Sequence, residues 1–188
     1  MKTRHFILGV LLAAALQTAA LGKILYDRAS LLANGQEVVL ETGFVDPRDL
    51  FRGHYTSLDF PISRVDPKAV SMPDNIDYND DLFLELDTES GPFASIRAIT
   101  KTYPAAPQGP VLKAKAKSDY SKSGEIRGRV HIEFPFDRYF APKMRAQELE
   151  KLERDRKLGV ILALDSKGKG AIKGISIEGR KIYEEPLF

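Results

Sequence analysis

Cysteine and tryptophan are absent from all 188 residues. Without thiols the chain has no disulfide, no thiolate nucleophile and no cysteine ligand for a metal. Histidine is almost as scarce. The three, His5, His54 and His131, show no ligand-like spacing, whereas a zinc site needs three or four converging N, S or O ligands. Charge of one sign is lacking too: 28 basic and 26 acidic residues leave a formal net charge of +2. That is too small and too mixed to form a nucleic-acid groove, so no nucleic-acid partner is expected. Gly168, Gly170 and Gly174 are spaced like hairpin glycines and lack the strand–glycine–helix order of a phosphate loop. Together these absences predict no metal and no cofactor.

Apolar character is concentrated at the start. Met1-Lys2-Thr3-Arg4-His5 is basic, and residues 6–26 are apolar except for Gln17, Thr18 and Lys23. A helix over that span would be roughly 30 Å long, about one hydrocarbon thickness. Lys23 can snorkel, and Tyr26 and Arg28 suit an interface. Thr18-Ala19-Ala20 also offers the small residues of a signal-peptide cleavage site. The apolar run continues through Leu21, Ile24, Leu25 and Tyr26, which favours a retained anchor. The expected division is therefore an anchor over 1–28, with a cleaved leader as the alternative, and a single domain over 29–188. A leader of this type leaves its N-terminus in the cytoplasm and exports the chain on its C-terminal side.

After the leader comes the most distinctive stretch, Val45-Asp46-Pro47-Arg48-Asp49-Leu50-Phe51-Arg52-Gly53-His54-Tyr55-Thr56-Ser57-Leu58-Asp59-Phe60. Pro47 fixes its own φ and biases Asp46 toward extended geometry, so Asp46-Pro47 starts a turn. Arg48, Asp49 and Arg52 then crowd three charges into five residues, and Gly53 relieves the backbone before a β-prone run. Asp46, Arg48, Asp49, Arg52, Gly53, His54 and Tyr55 are candidate binding residues. The plainer role of the charges is to tie a turn together. Period-2 geometry predicts Leu58 and Phe60 on the core face with His54 and Thr56, and Tyr55, Ser57 and Asp59 opposite.

Elsewhere, short strand signals recur with turn residues between them. Strands are expected at 37–44, 54–62, 82–86, 93–103, 111–117, 125–134, 158–164, 171–177 and 181–183. Hairpin turns are expected at Thr88-Glu89-Ser90-Gly91 and Asp165-Ser166-Lys167-Gly168. Lys113, Lys115 and Lys117 alternate on one strand face, as on an edge strand blunted by lysine, with attraction to acidic lipid head groups as the functional alternative. Residues 142–157 predict one amphipathic helix, opened by Pro142. It carries a stripe of Met144, Leu149 and Leu152 and the i,i+4 pairs Glu150–Arg154 and Glu153–Lys157.

A weak internal repeat runs through these strands. Arg52-Gly53 with Leu58-Asp59-Phe60-Pro61 is echoed by Arg127-Gly128 with Ile132-Glu133-Phe134-Pro135. Residues 83–87 and 95–99 are echoed by 161–165 and 171–175, all at an offset of about 75 in the same order. Two β-rich halves closing on each other predict a mainly β, α+β fold of barrel or sandwich type with few exposed edges.

The stretch from Arg52 to Phe60, with the residues before it, resembles the signature of the GDYXXLXY protein family. The similarity extends through Asp137-Arg138-Tyr139-Phe140-Ala141-Pro142 to the end, adding Arg138 and Tyr139 to the candidate binding residues. His54 stands where the family has Asp, and Phe60 where it has Tyr. Two such departures in one motif favour a structural role for it. The resemblance implies a bacterial membrane-anchored protein of unknown biochemical function, held in the inner membrane by one helix with its bulk on the periplasmic side. It also implies a multi-span membrane protein as partner, with the bilayer met through the N-terminal helix. An accessory or interaction module, not an enzyme, is thus expected. The alternative is a hydrolase loosely similar to signal-peptidase-like serine enzymes, which use a Ser nucleophile and a Lys base. Against it, Ser71-Met72-Pro73 comes after the glycine instead of preceding it.

Overall fold

The computed structural model describes residues 2–45, 56–121, 128–136, 138–139 and 158–184, with 2, 43–45, 56–58 and 138–139 described as backbone. In chain order the elements are α1 (Lys2–Asn34), β1 (Gln36–Glu41), β2 (Gly43–Val45), β3 (Thr56–Asp59), β4 (Arg64–Val65), β5 (Asn75–Ile76), β6 (Asp81–Asp87) and β7 (Ser95–Thr100). Next come β8 (Val111–Ala116), β9 (Tyr120–Ser121), β10 (Val130–Glu133), β11 (Arg138–Tyr139), β12 (Leu158–Leu164), β13 (Gly170–Ile177) and β14 (Arg180–Glu184).

Two antiparallel sheets carry the core. One has the order β1-β12-β13-β14 and the other β4-β10-β8-β6-β7. Their inner faces meet in a single apolar cluster, with Val38, Leu40, Val160, Leu162 and Ile175 from the first sheet and Leu82, Leu84, Leu112 and Ile132 from the second. Burying each such side chain stabilises by about 1.5–3 kcal/mol. Smaller sheets β11-β3-β2 and β5-β9 complete the strands. Among the described residues no sheet closes into a barrel, and of the two expected architectures the sandwich is the one formed.

Several strand limits differ from expectation, each for a local reason. The run 37–44 breaks at Thr42, whose N–H donates to the Leu158 carbonyl (3.0 Å) and whose hydroxyl donates to the Asp59 carbonyl (3.1 Å). The chain there leaves one sheet, as β1, for another, as β2. The run 54–62 stops at Asp59, because Pro61 has no N–H for a ladder and opens a 3-10 turn, Pro61–Ser63. β8 is not an edge strand: it lies between β10 and β6, so its lysines do not blunt an edge. The expected helix at 142–157, with its ion pairs, lies outside the described residues.

The repeat is present in the pairing itself. β3 pairs with β11, Thr56 opposite Tyr139 and Ser57 opposite Arg138. β10 pairs with β4, Val130 opposite Val65 and His131 opposite Arg64. Adding 74 to 56, 57, 64 and 65 gives 130, 131, 138 and 139, so one pairing becomes the other residue for residue. Likewise Val39 faces Ile161 and Phe83 faces Lys113, where 39 maps to 113 by the same 74 and 83 to 161 by 78. The four extra residues are lost again in the hairpin turns. Nine residues separate the Leu86–Ile96 pair but five separate Leu164–Gly170, so 96 maps to 170 by 74. Each half therefore donates strands to the other half's sheet.

Candidate functional site

α1 is 33 residues long, about 50 Å at 1.5 Å per residue. By length and composition it can cross a membrane, and a signal sequence passes the same test. Phe6, Leu8, Leu12, Leu16, Leu21 and Leu25 are all exposed. At its other end the helix docks: Leu31 and Leu32 are buried on Ala163 of β12 and Ala171 of β13. Gly35 then turns the chain into β1. A Cβ there would lie within 3 Å of both the Leu31 carbonyl and Ala163 Cβ, so glycine is what lets helix and sheet approach.

Asp46, Arg48, Asp49, Arg52, Gly53, His54 and Tyr55 lie outside the described residues. Arg138 and Tyr139 are placed: as β11 they pair with Ser57 and Thr56 of β3, the strand that leaves the motif. Two candidates thus share one small sheet with motif residues some 80 positions earlier in the chain that were not themselves candidates. Of the motif's predicted core residues, Phe60 is buried, with rings of Phe134 and Phe136 edge-on at 5.4 and 5.8 Å. Phe60 and Phe134 are 74 residues apart, so the repeat-related rings meet where the halves join. In place of the family's tyrosine, a phenylalanine here needs no partner for a hydroxyl. The Leu58 backbone pairs with Phe44, and its side chain lies outside the described residues.

The outer face of the five-stranded sheet gathers the charges that sequence spacing singled out. Lys113 and Lys115 both reach Asp81, at 2.7 and 3.1 Å, and Lys117 reaches Glu133 at 2.8 Å. The Lys113 hydrogen bond, with that of Lys115 next in size, holds the Asp81 carboxyl below the usual range. The Glu133 hydrogen bond raises Lys117. Aromatic rings lie among them: Lys113 Nζ is 5.6 Å from the Phe83 ring centre and Lys117 Nζ is 5.7 Å from that of Tyr78. Phe83 in turn packs edge-on to Tyr103 at 5.8 Å. Two carboxylates meet these three lysines, and Glu85 and Asp87 lie on the same outward face of β6, so the face is a latticed surface with little net charge to attract acidic head groups. Sequence spacing identified the lysines but not Asp81 or Glu133, whose approach requires the cross-strand register.

Among the described residues no group of three or more His, Asp or Glu is placed to hold a metal ion. His131 is exposed on β10, its backbone N–H donating to Ser118 Oγ at 3.0 Å. Ser71 serves the fold: its carbonyl accepts the Ile99 N–H at 2.8 Å and it bridges to Ala98 along the β7 edge. Ser176 Oγ is buried without a hydrogen-bond partner, beneath the position where Gly159 lacks a Cβ. The GDYXXLXY protein model matches residues 17–175. The chain belongs to the GDYXXLXY protein family. No curated protein and no solved structure matches it. The match runs from within α1 to β13, so it spans the second half of the helix, the motif and most of both halves.

Proposed function

We propose that this GDYXXLXY protein is a membrane-anchored extracytoplasmic accessory module working with a multi-span membrane protein. The observation that carries the reading is α1: its apolar length is exposed, and its last turns are fused into the packing of the four-stranded sheet through Leu31 and Leu32. Cleavage after Ala20 would leave Leu31 and Leu32 docked, so what favours retention is the apolar run that continues past Ala20 through Leu21, Ile24, Leu25 and Tyr26, all exposed on the helix. The exposed apolar surface suits lipid or a second membrane helix. The division into an anchor over 1–28 and a domain over 29–188 belongs to the proposal, with residues 29–34 serving both.

N-terminal sequencing of membrane-extracted protein should find residues ahead of Ala20; a start at Leu21 would overturn the anchor. A reporter active only after export, fused after Phe188, should be active, and activity from a cytoplasm-dependent reporter alone would reverse the topology. Pull-down from detergent-solubilised membranes should recover a multi-span protein with the full chain, and its absence would remove the partner. A serine-reactive probe should leave the chain unlabelled. Labelling would restore the hydrolase reading.

A further inference from the structure

The turn between β12 and β13 is built like a fixed prong. The Asp165 carboxylate accepts the N–H groups of Lys167 and Lys169, both at 2.8 Å, and the Gly168 N–H donates to the Asp165 carbonyl at 3.1 Å. Gly168 holds φ +82°, a left-handed geometry that glycine adopts without strain. Its carbonyl accepts the Lys113 N–H at 2.7 Å, tying the prong to the second sheet. Ser166, Lys167 and Lys169 are exposed on it.

The prong lies beside α1. A cleft of about 400 Å³ separates them, lined by Tyr26, Asp27 and Ser30 of the helix and by Ser166 and Lys169 of the turn. Tyr26 stands at the end of the apolar run that begins at Phe6, and those twenty or so residues match one hydrocarbon thickness, about 30 Å. Tyr26 and Asp27 therefore stand at head-group level, and the turn beside them stands there too. Charge at this level favours anions. Lys23, Arg28, Lys167 and Lys169 outnumber Asp27, which pairs with Lys23 at 2.6 Å, and Asp165, whose carboxylate keeps its charge while accepting the turn's own N–H groups. Among the described residues, Arg28, Lys167 and Lys169 have no acidic partner and are exposed.

We infer that the Asp165–Gly170 turn is a second membrane contact, in which Lys167 and Lys169 engage the phosphates of anionic phospholipids around α1. The inference rests on the anchored reading of α1. It gives the sandwich one orientation on the bilayer, with the β12–β13 turn down and the β13–β14 turn up. The eight residues of β13 hold the two ends about 25 Å apart. Each lysine at an anionic surface is worth about a fivefold change in contact population, and the attraction is screened by salt.

The absence of native cysteine allows single-site labelling of the full chain. Ser166→Cys and Arg180→Cys, each carrying an environment-sensitive fluorophore, would be reconstituted into nanodiscs of phosphatidylcholine with or without phosphatidylglycerol, using head-group-quencher lipid. Quenching at position 166 and not at 180, dependent on phosphatidylglycerol and reduced about tenfold or more by K167E with K169E, is the expected result. Position 166 as unquenched as position 180 in anionic discs overturns the contact while leaving the anchor standing. Equal quenching in neutral discs overturns the role of the lysines. Failure of the chain to enter discs at all overturns the anchor, and the contact with it.

Discussion

β6 and β12 occupy equivalent places in the two halves, yet their outer faces have opposite character. Both bury alternate residues inward, Leu82, Leu84 and Leu86 in one and Val160, Leu162 and Leu164 in the other, matched by a shift of 78. Outward, β6 presents Asp81, Phe83, Glu85 and Asp87, whereas β12 presents Gly159, Ile161 and Ala163 before Asp165. Every residue of β12 is buried. The cause is cover. Leu31 and Leu32 of α1 lie on Ala163, and a Cβ at Gly159 would strike the Phe93 ring, which crosses from the longer β6–β7 turn. Among the described residues no corresponding helix lies on β6, so charges fill the place and pair across strands. One pairing plan thus serves two surfaces, and the small residues mark the side that the anchor occupies.

Cutting the join between the halves should have the largest effect. Phe60→Ala and Phe134→Ala should each cost on the order of 3–5 kcal/mol by chemical denaturation. The double variant should cost less than their total, because the rings touch. Strict additivity would show that the halves do not share this core. Next, Ala163→Glu should cost about 3 kcal/mol or more, since it places a charge without a partner beneath Leu31 and Leu32. The equivalent Glu85→Ala should cost less, about 0.5–1.5 kcal/mol, for the hydrogen bond its carboxylate accepts from the Gln108 N–H at 2.9 Å. If the two variants melt alike, the helix does not cover β12.

A smaller effect is expected at the hairpin tips. Ala94 and Gly168 are equivalent by 74: the Ala94 N–H donates to the Val39 carbonyl, and the Gly168 carbonyl accepts from Lys113, each at 2.7 Å. Only Gly168 has positive φ. Gly168→Ala should cost about 1–2 kcal/mol in thermal melts, and Ala94→Gly should cost less. Equal costs would mean that the shorter turn does not depend on left-handed geometry.

The smallest effect is electrostatic. Glu37 hydrogen-bonds Lys173, at 2.8 Å, and this holds its carboxyl below the usual range, with Lys181 adding to the effect. A lowered folded-state pKa gives stability that is present above the unfolded value, about 4.3, and lost as pH falls through the folded one. Glu37→Gln should therefore flatten the acid limb of stability below about pH 4, by under about 1 kcal/mol because the pair is partly exposed. Asp81→Asn should change the acid limb in the same direction on the other sheet, through its lost bonds to Lys113 and Lys115. An unchanged acid limb in both would remove these ion pairs from the stability of either face.

Local pattern made much of this legible. The apolar run to Tyr26 specified most of α1 but not its last eight residues, Asp27 to Asn34, where polar residues flank the docked Leu31 and Leu32, and strict alternation specified β8. Asp165-Ser166-Lys167-Gly168 specified its own turn, because an aspartate that binds the N–H two residues on and a glycine free to take positive φ act within five residues. The echo of Leu58-Asp59-Phe60-Pro61 in Ile132-Glu133-Phe134-Pro135 disclosed the repeat at nearly its true offset. The equivalences of β1 with β8 and β4 with β11 were not legible, since Gln36–Glu41 and Val111–Ala116 share little but alternation, and two-residue strands carry no pattern.

Sequence alone determined the apolar part of α1, most strands and which faces are apolar, because those properties depend on neighbours two to four positions away, whereas the last turns of α1 are set by docking on the sheet. Tertiary structure decided that β8 is interior, that the halves exchange strands, and that Arg138 and Tyr139 lie beside the strand leaving the motif. It also decided that Asp81 pairs with two lysines more than 30 residues along the chain. Pairing partners and register are set by which distant strands bury their apolar faces together, and the period-2 pattern of a strand is satisfied equally well by many partners.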